Sequence, residues 1–196
     1  MGTALVQLAR TSEFGASFVA ATSTQTNLLL DLGVDRPIDY TAEEWWGLED
    51  FRRKPFDVII DCAEGASAWR RLQRKGPRVL KNGGRFLALV LQEWHIPMTR
   101  WYHLPALLLP PLFRQIRSSC FGRLRYSMYA QTLDAGLIAE VLALAHDGLL
   151  RPVIDPAGPF PWTADGSAAA VDLLRSRHAH GKVVIAMDAE RETPHL

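Results

Sequence analysis

Apolar residues along this chain alternate between two spacings. Short continuous apolar runs read as strands, and segments whose apolar positions return every three or four residues read as helices. Residues 2–10 carry a helical pattern, 17–22 a strand, and 24–32 a helix with Leu28, Leu29 and Leu32 on one face, closed by Gly33. A short strand at 37–40 follows, and Thr41 and Glu44 have capping-box spacing for a helical turn. Phe56-Asp57-Val58-Ile59-Ile60-Asp61-Cys62-Ala63 is the clearest strand. Its continuous β-branched run is what a parallel strand covered on both faces requires.

A helix near 67–75 and a strand at 85–90 come next. Residues 93–122, rich in proline and aromatics, predict an irregular insert. A strand at 125–131 precedes a helix over 135–146, capped by Asp134 and ended by Gly148. The last part predicts a small β-α-β tail, with a strand at 150–155, a proline-rich turn, a helix at 165–176 and a strand at 182–187. Residues 189–196 are polar and expected to fray.

Strands alternating with helices predict an α/β fold with a doubly wound parallel sheet. The opening Gly2-Thr3-Ala4-Leu5-Val6 reads as the last glycine of a G-x-G-x-x-G turn and its helix. The strand that should precede that glycine does not occur in the sequence, so the expected fold is a Rossmann-type sheet lacking its first strand. That strand lies centrally in the 3-2-1-4-5-6 order. Removing it predicts a poorly stable chain that holds a dinucleotide weakly. The expected organisation is a partial dinucleotide-binding domain over 1–148 and the C-terminal part of a catalytic domain over 149–188.

Composition narrows this only a little. The 196 residues are 48% hydrophobic and 22% charged, with a formal net charge of +1. That balance gives no reason to invoke nucleic acid. Cys62 and Cys120 are too few and too far apart for a zinc-type cluster. They fit a reducing, cytoplasmic location. No basic-plus-apolar leader opens the chain. The most apolar stretch, 104–113, contains three prolines and is far shorter than the roughly 20 residues of a membrane span. It is expected to be interfacial or to face a partner.

The order of segments resembles the nucleotide-binding half of the medium-chain dehydrogenase/reductase superfamily, in its zinc-independent quinone oxidoreductase and enoyl reductase branch. The residues that carry the likeness are G-T-A-L-V-Q-L-A-R at 2–10, L-G-V-D-R-P-I-D-Y at 32–40 and F-D-V-I-I-D-C at 56–62. N-G-G-R-F at 82–86, G-L-L-R-P-V-I at 148–154 and H-G-K-V-V-I at 180–185 complete the set. The resemblance implies an oxidoreductase that passes a hydride from NADPH to a small quinone or α,β-unsaturated carbonyl, without zinc. The family's N-terminal domain, which shapes much of the substrate cleft, has no counterpart in these residues.

Candidate cofactor residues follow from both lines. Gly2 and Thr3 head the first helix, where backbone N–H groups favour a pyrophosphate. Thr22, Ser23 and Thr24 follow the second strand of the expected fold, where NAD-specific proteins place an acid. Hydroxyls there, with Asn27, favour NADPH over NADH by resemblance. They also suit an ordinary helix cap. By the same resemblance Tyr40 lies near the adenosine end. Cys62 and Ala63 end the buried strand at the ligand-binding edge of the sheet, and Leu89 and Val90 face the nicotinamide. Lys182 could reach a phosphate.

No general acid or base emerges. His95, His103, His146, His178 and His180 sit in no recognised catalytic motif. Two further readings stand beside the reductase. One is a non-catalytic remnant that self-associates through the apolar insert, with Trp94, Trp101, residues 107–109 and Phe113. The other is an S-adenosylmethionine methyltransferase, for which F-D-V-I-I-D and V-L-K-N-G-G-R-F would be two strands.

Overall fold

The computed structural model describes residues 1–76, 78–90, 99–101, 103–129, 134–176 and 178–187. Its elements are α1 (Gly2–Arg10), β1 (Ala20–Thr22), α2 (Thr26–Asp31), β2 (Arg36–Ile38), α3 (Glu49–Arg53), β3 (Phe56–Asp61), α4 (Ala66–Lys75) and β4 (Leu80–Ala88). They continue with α5 (His103–Phe121), β5 (Arg125–Met128), α6 (Ala135–His146), β6 (Phe160–Pro161), α7 (Ala164–Ser176) and β7 (Ile185–Ala186). Every strand pair is parallel, as strands joined through helices require. The class is α/β and Rossmann-like. Among the described residues no helix is long and apolar enough to cross a membrane.

The strands form three separate sheets: β1-β2, β3-β4-β5 and β6-β7. Among the described residues β1 hydrogen-bonds only to β2, and β3 only to β4. These are the two strands that the 3-2-1-4-5-6 order sets on either side of its first strand.

Contacts divide the chain into two units, Met1–Asp39 with Asp134–Leu196, and Tyr40–Leu133. The expected boundary at 148 falls inside the first of these. Its core gathers Val6 of α1, Leu29 of α2, Leu32 and Val34, with Val19, Ala21, Leu28 and Val153 packed against them. Gln7 joins the N-terminal helix to the segment after α6. Its Nε2 donates to the Thr3 and Arg151 carbonyls at 3.0 Å, and its Oε1 accepts from the Arg151 N–H at 2.9 Å. Arg10 ties α1 to the turn after α2 by donating to the Gly33 carbonyl at 2.7 Å and pairing with Asp35 at 2.5 Å. That guanidinium, with the Val19 N–H, holds the Asp35 carboxyl below the usual carboxylate range.

The tail motif around His180-Gly181-Lys182 is a tight backbone crossing. Asp155 is buried; its carboxylate accepts from Ala157 N–H at 2.9 Å and His180 N–H at 2.7 Å. Its own N–H donates to the Lys182 carbonyl, beside the Ile154–Lys182 bridge. A Cβ on Gly181 would come within 2.6 Å of the Asp155 nitrogen, so only glycine fits there. The two N–H bonds lower the Asp155 carboxyl against the opposing effect of burial.

In the second unit, Trp69 of α4, Phe86 of β4 and Tyr126 of β5 form an aromatic core, with ring centroids 5.3–6.1 Å apart. Phe51 and Phe56 add an edge-to-face pair at 4.8 Å. β4 begins at Leu80, ahead of the expected 85. Its register against β3 shifts between the Phe56–Leu80 and Val58–Arg85 pairs, across Asn82-Gly83-Gly84, and Gly83 takes the positive φ that this needs.

Three expectations are corrected. β3 is not buried on both faces, since Val58 is 49% and Ile60 41% exposed. Val58 and Ile60 share one face of the strand, and that face stands partly in water. The capping box at Thr41 does not form a helix start. Glu44 precedes a 3-10 turn (Trp45–Gly47) without capping it, and instead accepts from the Trp46 indole at 3.2 Å. The insert at 93–122 is not irregular where described, because His103–Phe121 is the helix α5. Pro110 and Pro111 remove two N–H donors, yet fourteen of its nineteen residues (all but those two, Pro105, Ser118 and Ser119) are not helix breakers or competitors. Trp94 and the 188–196 tail lie outside the described residues.

Two outcomes test this packing. Trp69→Ala should cost about 3–5 kcal/mol and Ile60→Ala less than about 2 kcal/mol, measured by urea unfolding followed by far-ultraviolet circular dichroism. Equal losses would contradict a half-wet β3. Asp155→Asn should lower the melting temperature at neutral pH, because a neutral amide cannot accept both N–H bonds as well. The folded carboxyl sits below its unfolded value of 3.8, so its contribution is present above that pH and fades as pH falls through the folded value. Wild type and variant should therefore converge in stability on acidification below about pH 4.

Candidate cofactor site

At the N-terminus of α1 the first turn has no side-chain cap, and no acidic side chain lies within it. Gly2 is exposed, and a Cβ there would meet nothing within 4 Å. The first N–H groups of a helix have no intrahelical acceptor, so this end can receive an anion. Met1, Gly2 and Thr3 thus offer an open helix start rather than a glycine-rich cradle.

The carboxyl end of β1 brings Thr22, Ser23, Thr24 and Asn27 together. The Ser23 N–H donates to the Ile38 carbonyl at 2.9 Å, which holds this turn against β2. Its Oγ accepts from the Gln25 N–H at 3.0 Å and so guides entry into α2. Thr22, Thr24 and Asn27 are exposed. The run therefore acts as a local helix lead-in while leaving hydroxyl hydrogens and the Asn27 amide in water. Lys182 is exposed, with its backbone in the bridge to Ile154.

In the other unit, the carboxyl ends of β3 and β4 bring Cys62 and Ala63 beside Leu89 and Val90. The Leu89 N–H donates to the Asp61 carbonyl at 2.9 Å, continuing the ladder past the strand ends. Leu89, Val90 and Cys62 are half-buried, and Ala63 is exposed. Burial, helped by the neighbouring Asp61 carboxylate, pushes the Cys62 thiol up, so it is a sluggish nucleophile. Cys62 and Cys120 are both free. Tyr40 is exposed just after β2.

One residue that organises this loop is missed by the sequence reading. Asp61 is buried, and its carboxylate accepts from the N–H groups of Ala63, Glu64 and Gly65. The signal was there: an aspartate ending an apolar strand, followed by a short C-A-E-G turn, is an Asx-type loop closure. Its consequence is chemical. Three N–H groups that could otherwise cradle an anion are already engaged, so this loop meets a ligand through side chains and carbonyls. Glu64 is engaged too, by Arg71 at 2.8 Å, and the Arg71 guanidinium lies 4.5 Å from the Trp46 ring centroid. Among the described residues no group of His, Cys, Asp and Glu is placed to hold a metal ion. His180 meets Asp155 through its backbone N–H rather than its ring.

Comparisons with known proteins place this geometry. The profile of the family described as zinc-binding dehydrogenase matches residues 32–185. An NADPH-dependent alkenal/one oxidoreductase of Arabidopsis thaliana is 30% identical over 94% of this chain. A 2-methylene-furan-3-one reductase of Solanum lycopersicum is 31% identical, also over 94%. The chain spans 37% of the length of each. The solved quinone oxidoreductase of Escherichia coli, complexed with NADPH, superposes with a TM-score of 0.62 at 16% identity, covering 94% of this chain and 53% of that one. At that identity the superposition speaks for the fold alone. The chain belongs to the zinc-binding dehydrogenase family, within the quinone oxidoreductase and enoyl reductase branch of the medium-chain dehydrogenase/reductase superfamily.

Proposed function

We propose that this chain supplies nucleotide-binding residues to an NADPH-dependent reductase of quinones or α,β-unsaturated carbonyls. The observation that carries the reading is the acid-free, hydroxyl-bearing turn Thr22-Ser23-Thr24 at the carboxyl end of β1. An aspartate or glutamate there would accept from a ribose 2′-hydroxyl and repel a 2′-phosphate. Hydroxyls and the Asn27 amide donate to that phosphate instead. One relative supports the same choice by name, the Arabidopsis NADPH-dependent enzyme.

The residues fit the cofactor in part. Gly2 and Thr3 would meet the pyrophosphate at the open start of α1, with Lys182 as a further cation. Ser23, Thr24 and Asn27 would meet the ribose phosphate, with Tyr40 near the adenosine. Cys62, Ala63, Leu89 and Val90 would line the nicotinamide end with apolar and weakly polar atoms, excluding water. When bound, NADPH supplies a hydride that, with a proton from water, reduces a quinone or an activated C=C bond. No side chain of this chain is assigned as proton donor. Cys62 and Cys120 by themselves cannot supply a four-cysteine zinc lobe.

A small-molecule substrate and a cytoplasmic location belong to the same proposal; the Arabidopsis relative is chloroplastic. A second reading, a remnant acting by self-association, draws on the unpaired edge of β3 and its exposed Val58 and Ile60. Family membership sets the methyltransferase aside.

Cofactor titration separates these readings. NADPH should quench intrinsic fluorescence at lower concentration than NADH, with an affinity weaker than micromolar for this chain alone. Ser23→Asp should weaken NADPH by at least about tenfold while sparing NADH, since a carboxylate would face the phosphate. In a Cys120→Ser variant, saturating NADPH should slow alkylation of Cys62. Equal affinity for the two cofactors would refute the NADPH assignment. Unchanged Cys62 alkylation would remove that residue from the site.

A further inference from the structure

Helix α5 has one face packed and one face bare. Ser118 is buried; its Oγ accepts from the Tyr126 N–H at 2.9 Å, fixing that face against β5. Pro111 is fully buried on the same side. The other side carries Leu104, Leu108 and Leu112 at four-residue spacing, and Leu109, Phe113 and Ile116 in the adjacent row. All six are exposed, Phe113 at 65%. Leu109, Pro110, Leu112, Phe113 and Ile116 line an open apolar depression. Trp101, just before the helix, is 84% exposed, and Phe121 at its end 90%. A contiguous apolar surface of this kind on a soluble face marks a docking site.

The charges around it select the occupant. Residues 94–133 contain five arginines and neither aspartate nor glutamate, in a chain whose overall charge is only +1. Arg117 stands four residues beyond Phe113, on the bare side of the helix, and Arg100, Arg123 and Arg125 are exposed around its ends. Two copies meeting face to face through α5 would set these arginines against each other with no acid to answer them. An acidic sheet of headgroups over an apolar interior answers both features at once. Leucine and aromatic side chains enter the acyl boundary, and arginines stay at the phosphates. The helix is too interrupted to span, so it would lie in the interface plane.

We infer that the bare face of α5, with Trp101, Leu109, Phe113 and Arg117, docks this chain on anionic phospholipid membranes. The proposal is independent of the cofactor reading.

Flotation with vesicles tests it. The full chain is mixed with phosphatidylcholine vesicles, and separately with vesicles of phosphatidylcholine and phosphatidylserine at about 3:1, a mixture that carries negative surface potential. The chain should float with the anionic vesicles and not with the neutral ones, and salt should weaken this as it screens exposed charge. Leu109→Glu with Phe113→Glu should abolish flotation. Both positions are exposed, and an unchanged circular dichroism spectrum would confirm that the variant folds. The milder Arg117→Gln should reduce the partition coefficient about fivefold, as expected for one basic residue near the surface. Failure to float, or equal flotation with neutral vesicles, overturns the proposal. So does a dimer in light scattering that the double variant converts to monomer, because that outcome gives the face to a second copy.

Discussion

The hydrogen-bond ladder of β3 runs on one side only, and much of the second unit follows from that. A parallel strand with the sequence F-D-V-I-I-D expects a neighbour on each edge and a cover on each face. Among the described residues β4 supplies one edge and nothing pairs with the other. If that edge were dry, each unmatched N–H or C=O would cost on the order of 1–3 kcal/mol. One face is incompletely covered as well: Val58 and Ile60 stay nearly half exposed, which forgoes part of the roughly 1.5–3 kcal/mol that full burial of each would contribute. The core then moves to where three elements do meet, at Trp69, Phe86 and Tyr126.

Asp61 shows the same logic at the strand's end. A carboxylate buried without partners would be expensive, and one accepting three N–H bonds is well compensated. The bonds fix the turn from β3 into α4 and set Gly65 at the positive φ that starts the helix. They also subtract three donors from any ligand. The candidate residues of the two units are chemically unlike. The α1 start offers N–H groups to an anion, while the β3–β4 end offers a thiol, methyl groups and two apolar side chains.

Local signals were legible where the cause is local. The Asp134 cap does accept from the Gly136 N–H, Gly33 and Gly148 do take positive φ, and β1 to β5 and β7 lie near their predicted places. The tail differs: the strand expected at 150–155 is only the Ile154–Lys182 bridge, and β6 forms at Phe160–Pro161, in the expected turn. Sheet partnership was not legible, because an apolar run reports what a strand is suited to, not whether a neighbour is present. The Phe56–Asp61 run and its wet Val58 make that plain. The insert failed for a different reason. Proline density argued for irregular chain, but Pro110 and Pro111 fall inside a leucine-rich stretch whose helical spacing outweighs two missing donors. At the site, candidates defined by type, such as the Thr22–Thr24 hydroxyls, could be found in sequence. Asp155 escaped because its role depends on the His180 N–H, 25 residues away, whereas Asp61 carried a local signal, an aspartate between an apolar strand and a short turn.

The tail illustrates how a family motif reduces to sterics. G-L-L-R-P-V-I and H-G-K-V-V-I are separated by 25 residues and a helix, yet they meet at one crossing. Ile154 and Lys182 bridge there, Gly181 permits the approach, and Asp155 accepts from the His180 N–H. Val153 reaches the core of Val6, Leu29, Leu32 and Val34, and the Arg151 backbone is held by Gln7. The C-terminal segment is therefore part of the packing beneath α1, whose open start is the proposed pyrophosphate contact. A change at Gly181 or Asp155 acts on that contact by loosening its support, without touching a ligand. The physical work of the glycine and the acid is to hold two backbones close together beneath that helix.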